Sequence, residues 1–202
     1  MNFSMTPEQE QIRDAIERVC EPFDADYWLR KDQEGGFPDD FHRALANSGW
    51  LGIAMPESVG GAGLGITEAA IMMQAVARSG AGFSGCSSIH LNIFGAKPIE
   101  KFGTPEQQQR FLPSAMNGTD KACFAVTEPN SGLDTSSLET RAERTNSGYR
   151  INGRKFYSTG ALLAHKVPIV ALDGEGRAWY AIADRDAAGL NPPSFRYKAL
   201  SF

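Results

Sequence analysis

Near Lys121 the sequence changes its grammar, and no other feature constrains the fold as strongly. Upstream, apolar residues recur at helical spacing; downstream come short runs rich in β-formers, punctuated by Asn152-Gly153 and Asp173-Gly174. Helices followed by strands, instead of alternating with them, argue for an α domain succeeded by a β domain and against a doubly wound α/β sheet. The expected class is therefore α+β, with a boundary near Asn117 to Asp120.

The helical half carries its own start and stop signals. Thr6-Pro7-Glu8-Gln9 joins a capping residue, a proline suited to the first turn and a glutamine three residues on, and the same four letters recur at Thr104-Pro105-Glu106-Gln107. After the first cap, Ile12, Ala15, Ile16, Val19, Cys20 and Phe23 follow one helical face. The spacing predicts helices over Pro7 to Glu21, Pro38 to Ser48 with Phe41, Leu45 and Ser48 inward, Thr67 to Ser79, and Ser84 to Phe94. Gly60-Gly61-Ala62-Gly63-Leu64-Gly65 fits GxGxxG at no offset and follows no strand, so it reads as an entry turn and not a phosphate loop.

In the β half, Gly148 to Ile151 and Arg154 to Tyr157 read as a hairpin about Asn152-Gly153. Val167 to Leu172 and Ala178 to Ala183 make a second, joined by Asp173-Gly174-Glu175-Gly176, with Pro168 confining its run to an edge or a strand start.

Charge and composition narrow the function. The net charge is −4 over 202 residues and the basic residues are interspersed with acidic ones, so no electrostatic footprint for nucleic acid is present. The first residues lack a signal-peptide pattern, no apolar run reaches the roughly 18 residues of a membrane span, and three scattered cysteines argue against a disulfide framework, so a soluble protein of the reducing cytoplasm is expected. Cys20, Cys86 and Cys123, like His42, His90 and His165, are scattered without metal-ligand spacing, so no metal is assigned.

Two segments carry chemistry. ACFAVTEP, from Ala122, ends a strand-like run in a hydroxyl and a carboxylate; GRKFYSTG, from Gly153, ends another in an aromatic, two hydroxyls and a glycine. A planar heteroaromatic ligand wants backbone donors and acceptors at its edge, a hydroxyl at its reactive nitrogen and an aromatic against its face, so the pair would suit a flavin. Glu128 and Asp134 flank the loop between them and could face one another as paired carboxylates; the simpler role for Asp134 is to hold the turn through backbone amides. No Gly-x-Ser-x-Gly elbow occurs, which disfavours a triad hydrolase. Arg141, Arg144, Arg150, Arg154 and Lys155 read as a solvated face.

Four blocks in order, GWLGIAMPESVGGAGLG, KPIEKFGTPEQQQRFLPSAMNG, CFAVTEPNSGLDTSSLETRAER and GYRINGRKFYST, resemble the N-terminal half of the acyl-CoA dehydrogenase family from Phe3 to about Leu190. The resemblance implies an N-terminal all-α helical domain over 1–119 followed by an incomplete antiparallel β-barrel or sandwich over 120–202, with an atypical tail from about 191. It further implies FAD beside the β domain, an acyl-CoA thioester against the flavin, removal of the α-proton by a carboxylate and hydride transfer to N5. An electron-transfer flavoprotein or other acceptor and a homo-oligomer complete the picture.

Carried over residue by residue, Phe124, Ala125, Val126 and Thr127 match the segment that contacts the flavin's pyrimidine side, and Gly132, in the loop beyond it, is expected to contact the cofactor too. Tyr157 stands where the family often has tryptophan against the ring, Thr159 matches the threonine that reaches N5, and Ser158 lies between as a backbone contact. Leu133 replaces a serine that often touches cofactor and substrate, which leaves acyl specificity open. No glutamate here matches the family's base, so the isolated chain is expected to be inactive; a shortened gene and a frameshifted end both account for NPPSFRYKALSF. Within the same fold, a flavin oxidase, an enoyl-CoA reductase or a monooxygenase remains an alternative, as does a non-catalytic remnant.

Overall fold

Thr6 and Thr104 do what their letters promise. In the computed structural model, which describes residues 4–191, Thr6 Oγ1 accepts from the Gln9 amide at 3.2 Å while Gln9 Oε1 accepts from the Thr6 amide at 3.0 Å. Thr104 and Gln107 repeat the exchange. Each box satisfies helix-end donors and stabilises its helix by about 1 kcal/mol. They open α1 (Pro7–Cys20) and, with five more helices between, α7 (Pro105–Met116).

Those five are α2 (Ala25–Glu34), α3 (Asp39–Asn47), α4 (Ile66–Val76), α5 (Gly82–Phe94) and α6 (Lys97–Phe102). Helix α2 escaped the sequence reading, because its apolar positions are few; Asp24 caps it by accepting from the Tyr27 amide at 2.9 Å. The predicted third and fourth helices prove to be one path bent at a π-type turn, Ala77–Ala81, where Gly80 takes φ 96°. On α3, Ser48 is exposed instead of inward, and His42 and Ala46 join Phe41 and Leu45 in the interior.

An apolar core fills much of the helical unit. Ile16, Phe41, Leu45, Leu51, Ile53, Met72, Ile89 and Ile93 are all but inaccessible to water. Phe23, Tyr27, Trp28 and Phe41 meet edge to face, with Phe41 5.2 Å from Phe23 and 5.0 Å from Trp28, the geometry their ring quadrupoles favour. His42 is buried as well, with its ring 5.3 Å from Phe37.

The second unit begins at Asp120. Its strands are β1 (Arg141–Thr145), β2 (Gly148–Asn152), β3 (Lys166–Leu172) and β4 (Ala178–Asp184), in the sheet order β2-β1-β3-β4. Both hairpins are antiparallel, and β1 meets β3 in a parallel contact, so the sheet is mixed. It also curls: Tyr149 on one edge strand and Trp179 on the other bring their rings to 4.9 Å.

Two local expectations are corrected. β2 pairs backward with β1 across Asn146-Ser147, not forward with Arg154 to Tyr157, which form no strand. Gly153 is required for a different reason: a Cβ there would stand 2.2 Å from Thr140 Oγ1, so close approach and not a turn demands glycine. Pro168 lies inside β3, an inner strand, because its carbonyl and its missing N–H face the segment Ala122 to Ala125, which pairs with β3 only through isolated bridges. The loop Asp173 to Arg177 closes the other hairpin, with Asp173 accepting from the Glu175 and Arg177 amides and the Trp179 indole.

Candidate functional site

The segment ACFAV runs alongside β3 as a strand in all but continuity. Cys123 and Ala125 donate to the carbonyls of Lys166 and Pro168 at 3.2 and 2.8 Å, and Val170 donates back to Ala125 at 3.1 Å. Period-two alternation then buries Cys123 and Ala125 in the small core with Ala164, Val167 and Ile169, and turns Phe124 and Val126 to the other face, half-buried. Phe124 lies 5.9 Å from Tyr180, whose hydroxyl burial holds protonated well above its ordinary range.

At Thr127 the pairing changes partner. The Phe156 amide donates to the Thr127 carbonyl at 2.7 Å, so the ends of the two segments singled out in the sequence lie side by side. Lys155 reinforces the join: its Nζ donates to the Val126 carbonyl at 2.9 Å and to Glu128 Oε1 at 2.8 Å.

Glu128 is buried and fully engaged. Its carboxylate also accepts from the Glu139 amide, from the Thr140 amide at 2.9 Å and from the Thr140 hydroxyl. Burial alone would raise its pKa, but Lys155, Thr140 and the two amides outweigh it and hold the group down to about 2. Asp134 caps its own short turn, accepting from the Ser136 amide at 3.0 Å and from the Ser136 and Ser137 hydroxyls, which lower its pKa. The two carboxylates thus serve different partners instead of facing each other as an acid–base pair.

The remaining predicted residues are presented outward. Leu133 is 105% exposed and Gly132 has open space beside it, on a loop tied down by the Glu128–Ser131 backbone pair. Tyr157 is 78% exposed and, alone among the described non-glycine residues, has a left-handed backbone, φ 54°. Its carbonyl accepts from the Thr159 amide at 2.9 Å, Thr159 is exposed and Ser158 is half-buried. The aromatic and hydroxyl groups thus stand exposed beyond the Phe156–Thr127 junction. Of the basic residues read as a solvated face, Arg141, Arg144, Arg150 and Arg154 are exposed, whereas Lys155 is not: its side chain is 10% exposed and ion-paired. Local periodicity could not reveal that, because its carboxylate partner lies 27 residues away.

Two family models match this chain: the acyl-CoA dehydrogenase N-terminal domain over residues 6–119 and the acyl-CoA dehydrogenase middle domain over 123–197. The chain belongs to the acyl-CoA dehydrogenase family. It is 31% identical over 191 residues to benzylmalonyl-CoA dehydrogenase of Aromatoleum aromaticum, a match covering 94% of this chain and 50% of that protein. Among solved structures, a probable acyl-CoA dehydrogenase from Mycobacterium abscessus superposes with TM-score 0.79 at 26% identity, over 92% of this chain and 50% of that one. The FAD complex of PigA shares the fold, with TM-score 0.85 at 22% identity over 94% of this chain and 51% of the other. The chain therefore spans about half the length of the relatives it matches. No helix among its described residues is long and apolar enough to cross a membrane.

Proposed function

We propose that this chain supplies the β-domain wall of an FAD site in an enzyme that α,β-dehydrogenates acyl-CoA thioesters. The hydrogen bond from the Phe156 amide to the Thr127 carbonyl carries the proposal, because it joins the two segments whose residue types suit a flavin. The residues present fit the group: a half-buried strand end, an exposed aromatic and exposed hydroxyls gather in one unit, with open space beside Gly132.

In this assignment Phe124, Val126 and Thr127 meet the flavin's pyrimidine edge with backbone groups and the threonine hydroxyl. Tyr157 would pack against the ring, Ser158 would contribute backbone contacts and Thr159 would offer its hydroxyl to the flavin's reactive nitrogen. A bound FAD supplies a two-electron acceptor for hydride from the acyl chain. A hydroxyl already oriented where charge develops lowers the barrier without reorganisation, and this is the part given to Thr159. Leu133, wholly exposed beside the TEP turn, offers the acyl group an apolar contact where a hydroxyl is common in the family.

Neither candidate carboxylate is set to take the α-proton. Glu128 is saturated with donors, and Asp134 is committed to Ser136 and Ser137. The proposal therefore places the base, the electron-transferring flavoprotein partner and the homo-oligomer in the whole protein, and expects negligible turnover from these residues alone.

Titrating FAD into the full 202-residue chain and following flavin fluorescence tests the assignment. Saturable quenching, with a changed flavin spectrum in Thr159→Val, is expected. A chain that leaves flavin fluorescence untouched at every concentration would overturn it.

A further inference from the structure

Lys155 and Glu128 form an enclosed ion pair in the β unit, with side chains 10% and 2% exposed. The pair alone is weak evidence for stability, since a well-packed apolar pair of similar size is often as stable or more so. Its arrangement around Thr127 is more informative. Lys155 binds the residue before Thr127, through the Val126 carbonyl, and the residue after it, through the Glu128 carboxylate, while Phe156 takes the carbonyl of Thr127 itself. Two consecutive residues thus grip three consecutive residues of the other segment.

Glu128 extends the grip to a third stretch through the Glu139 and Thr140 amides, and Gly153 leaves just enough room for Thr140 to reach it. The next residue along from this grip is Tyr157, forced into its left-handed backbone. A non-glycine residue held there is strained and persists only where its neighbours over-determine it. Lys155 and Phe156, each bonded to the Val126–Glu128 stretch, immediately precede it in the chain.

We infer that Lys155 is a positioning residue: paired with Glu128, it clamps the Val126–Glu128 strand end to the segment from Phe156 and so fixes Thr127 relative to Tyr157, Ser158 and Thr159. The flavin role of that junction rests on the function proposed above, whereas the clamp itself is measurable without flavin.

The test compares the full chain with Lys155→Met and with the double variant Lys155→Met/Glu128→Gln, which leaves no unpaired buried charge and keeps the test alive should the single variant fold poorly. Amide hydrogen exchange without ligand, denaturant unfolding and FAD titration are read on each. Loss of the clamp should speed exchange at Phe156 and Thr140 by about tenfold or more, the counterpart of one charge-assisted hydrogen bond, and leave Ile169 and Ala181 on the β3–β4 ladder unchanged. The double variant should recover stability without recovering Phe156 protection, and FAD should bind both variants about tenfold more weakly.

Uniform acceleration across the unit, or FAD affinity that returns together with stability in the double variant, would reduce the pair to an ordinary structural ion pair and overturn the inference. Wild-type protein that ignores FAD while the selective exchange pattern holds would sink the flavin assignment and leave the clamp standing. Equal FAD binding by wild type and Lys155→Met, with unaltered Phe156 exchange, would do the reverse.

Discussion

The helical unit and the β unit differ in what they bury and what they expose. The helical unit buries large apolar side chains such as Phe41, Leu45 and Met72 and starts α1 and α7 with local caps. The β unit has a smaller core of Cys123, Ala125, Ala164, Val167 and Ile169, buries an ion pair and turns Leu133, Tyr157 and Thr159 outward. One part is stabilised by what it hides; the other is organised around what it presents.

The largest expected effect lies in the helical core. Phe41→Ala removes a fully buried ring with two edge-to-face partners and should cost about 3–5 kcal/mol in denaturant unfolding, far above any truncation among the exposed site residues. A cost below that of Leu133→Ala would break the comparison.

Next comes the pH dependence of the β unit. The folded Glu128 holds its proton less tightly than an ordinary carboxylate, about 2 against 4.5, so the unfolded chain binds more protons between those values. The stabilisation, up to about 3 kcal/mol, is complete above pH 4.5 and is lost as pH falls through about 2. Glu128→Gln should flatten that part of the stability curve; wild-type and variant curves that run parallel there would contradict the buried network.

Tyr157→Gly sharpens the contrast at intermediate size. Glycine accepts φ 54° without penalty, so the variant should gain about 1 kcal/mol in stability and lose FAD affinity. Destabilisation would mean that the ring packs more than its exposure shows. Smallest is Leu133→Ala, expected to change stability by less than about 0.5 kcal/mol because the side chain touches solvent only; a larger loss would reveal packing at that loop.

The same contrast explains what the sequence made legible. Thr6 and Thr104, each with glutamine three residues on, announce helix starts through contacts that lie within one turn. α2 was missed because Asp24 caps a mostly polar helix whose apolar anchors, Tyr27 and Trp28, pack against distant residues. In the β unit, runs of β-formers about Asp173-Gly174 identified β3 and β4, but Asn152-Gly153 imitated a hairpin turn when its glycine answers to Thr140 across the fold. Lys155 looked like one more surface cation for the same reason: its partners, Val126 and Glu128, are close only after folding. The flavin-like segments were readable as types of residue, while their adjacency rests on a backbone bond from Phe156 to Thr127 that no local pattern encodes.

Amide exchange across the full chain with and without saturating FAD tests most directly whether the β unit forms a flavin wall. The account predicts added protection at Val126 to Glu128 and at Tyr157 to Thr159, with the core amides of α1 and α3 unchanged. Protection absent from both β segments, with FAD bound, would contradict it.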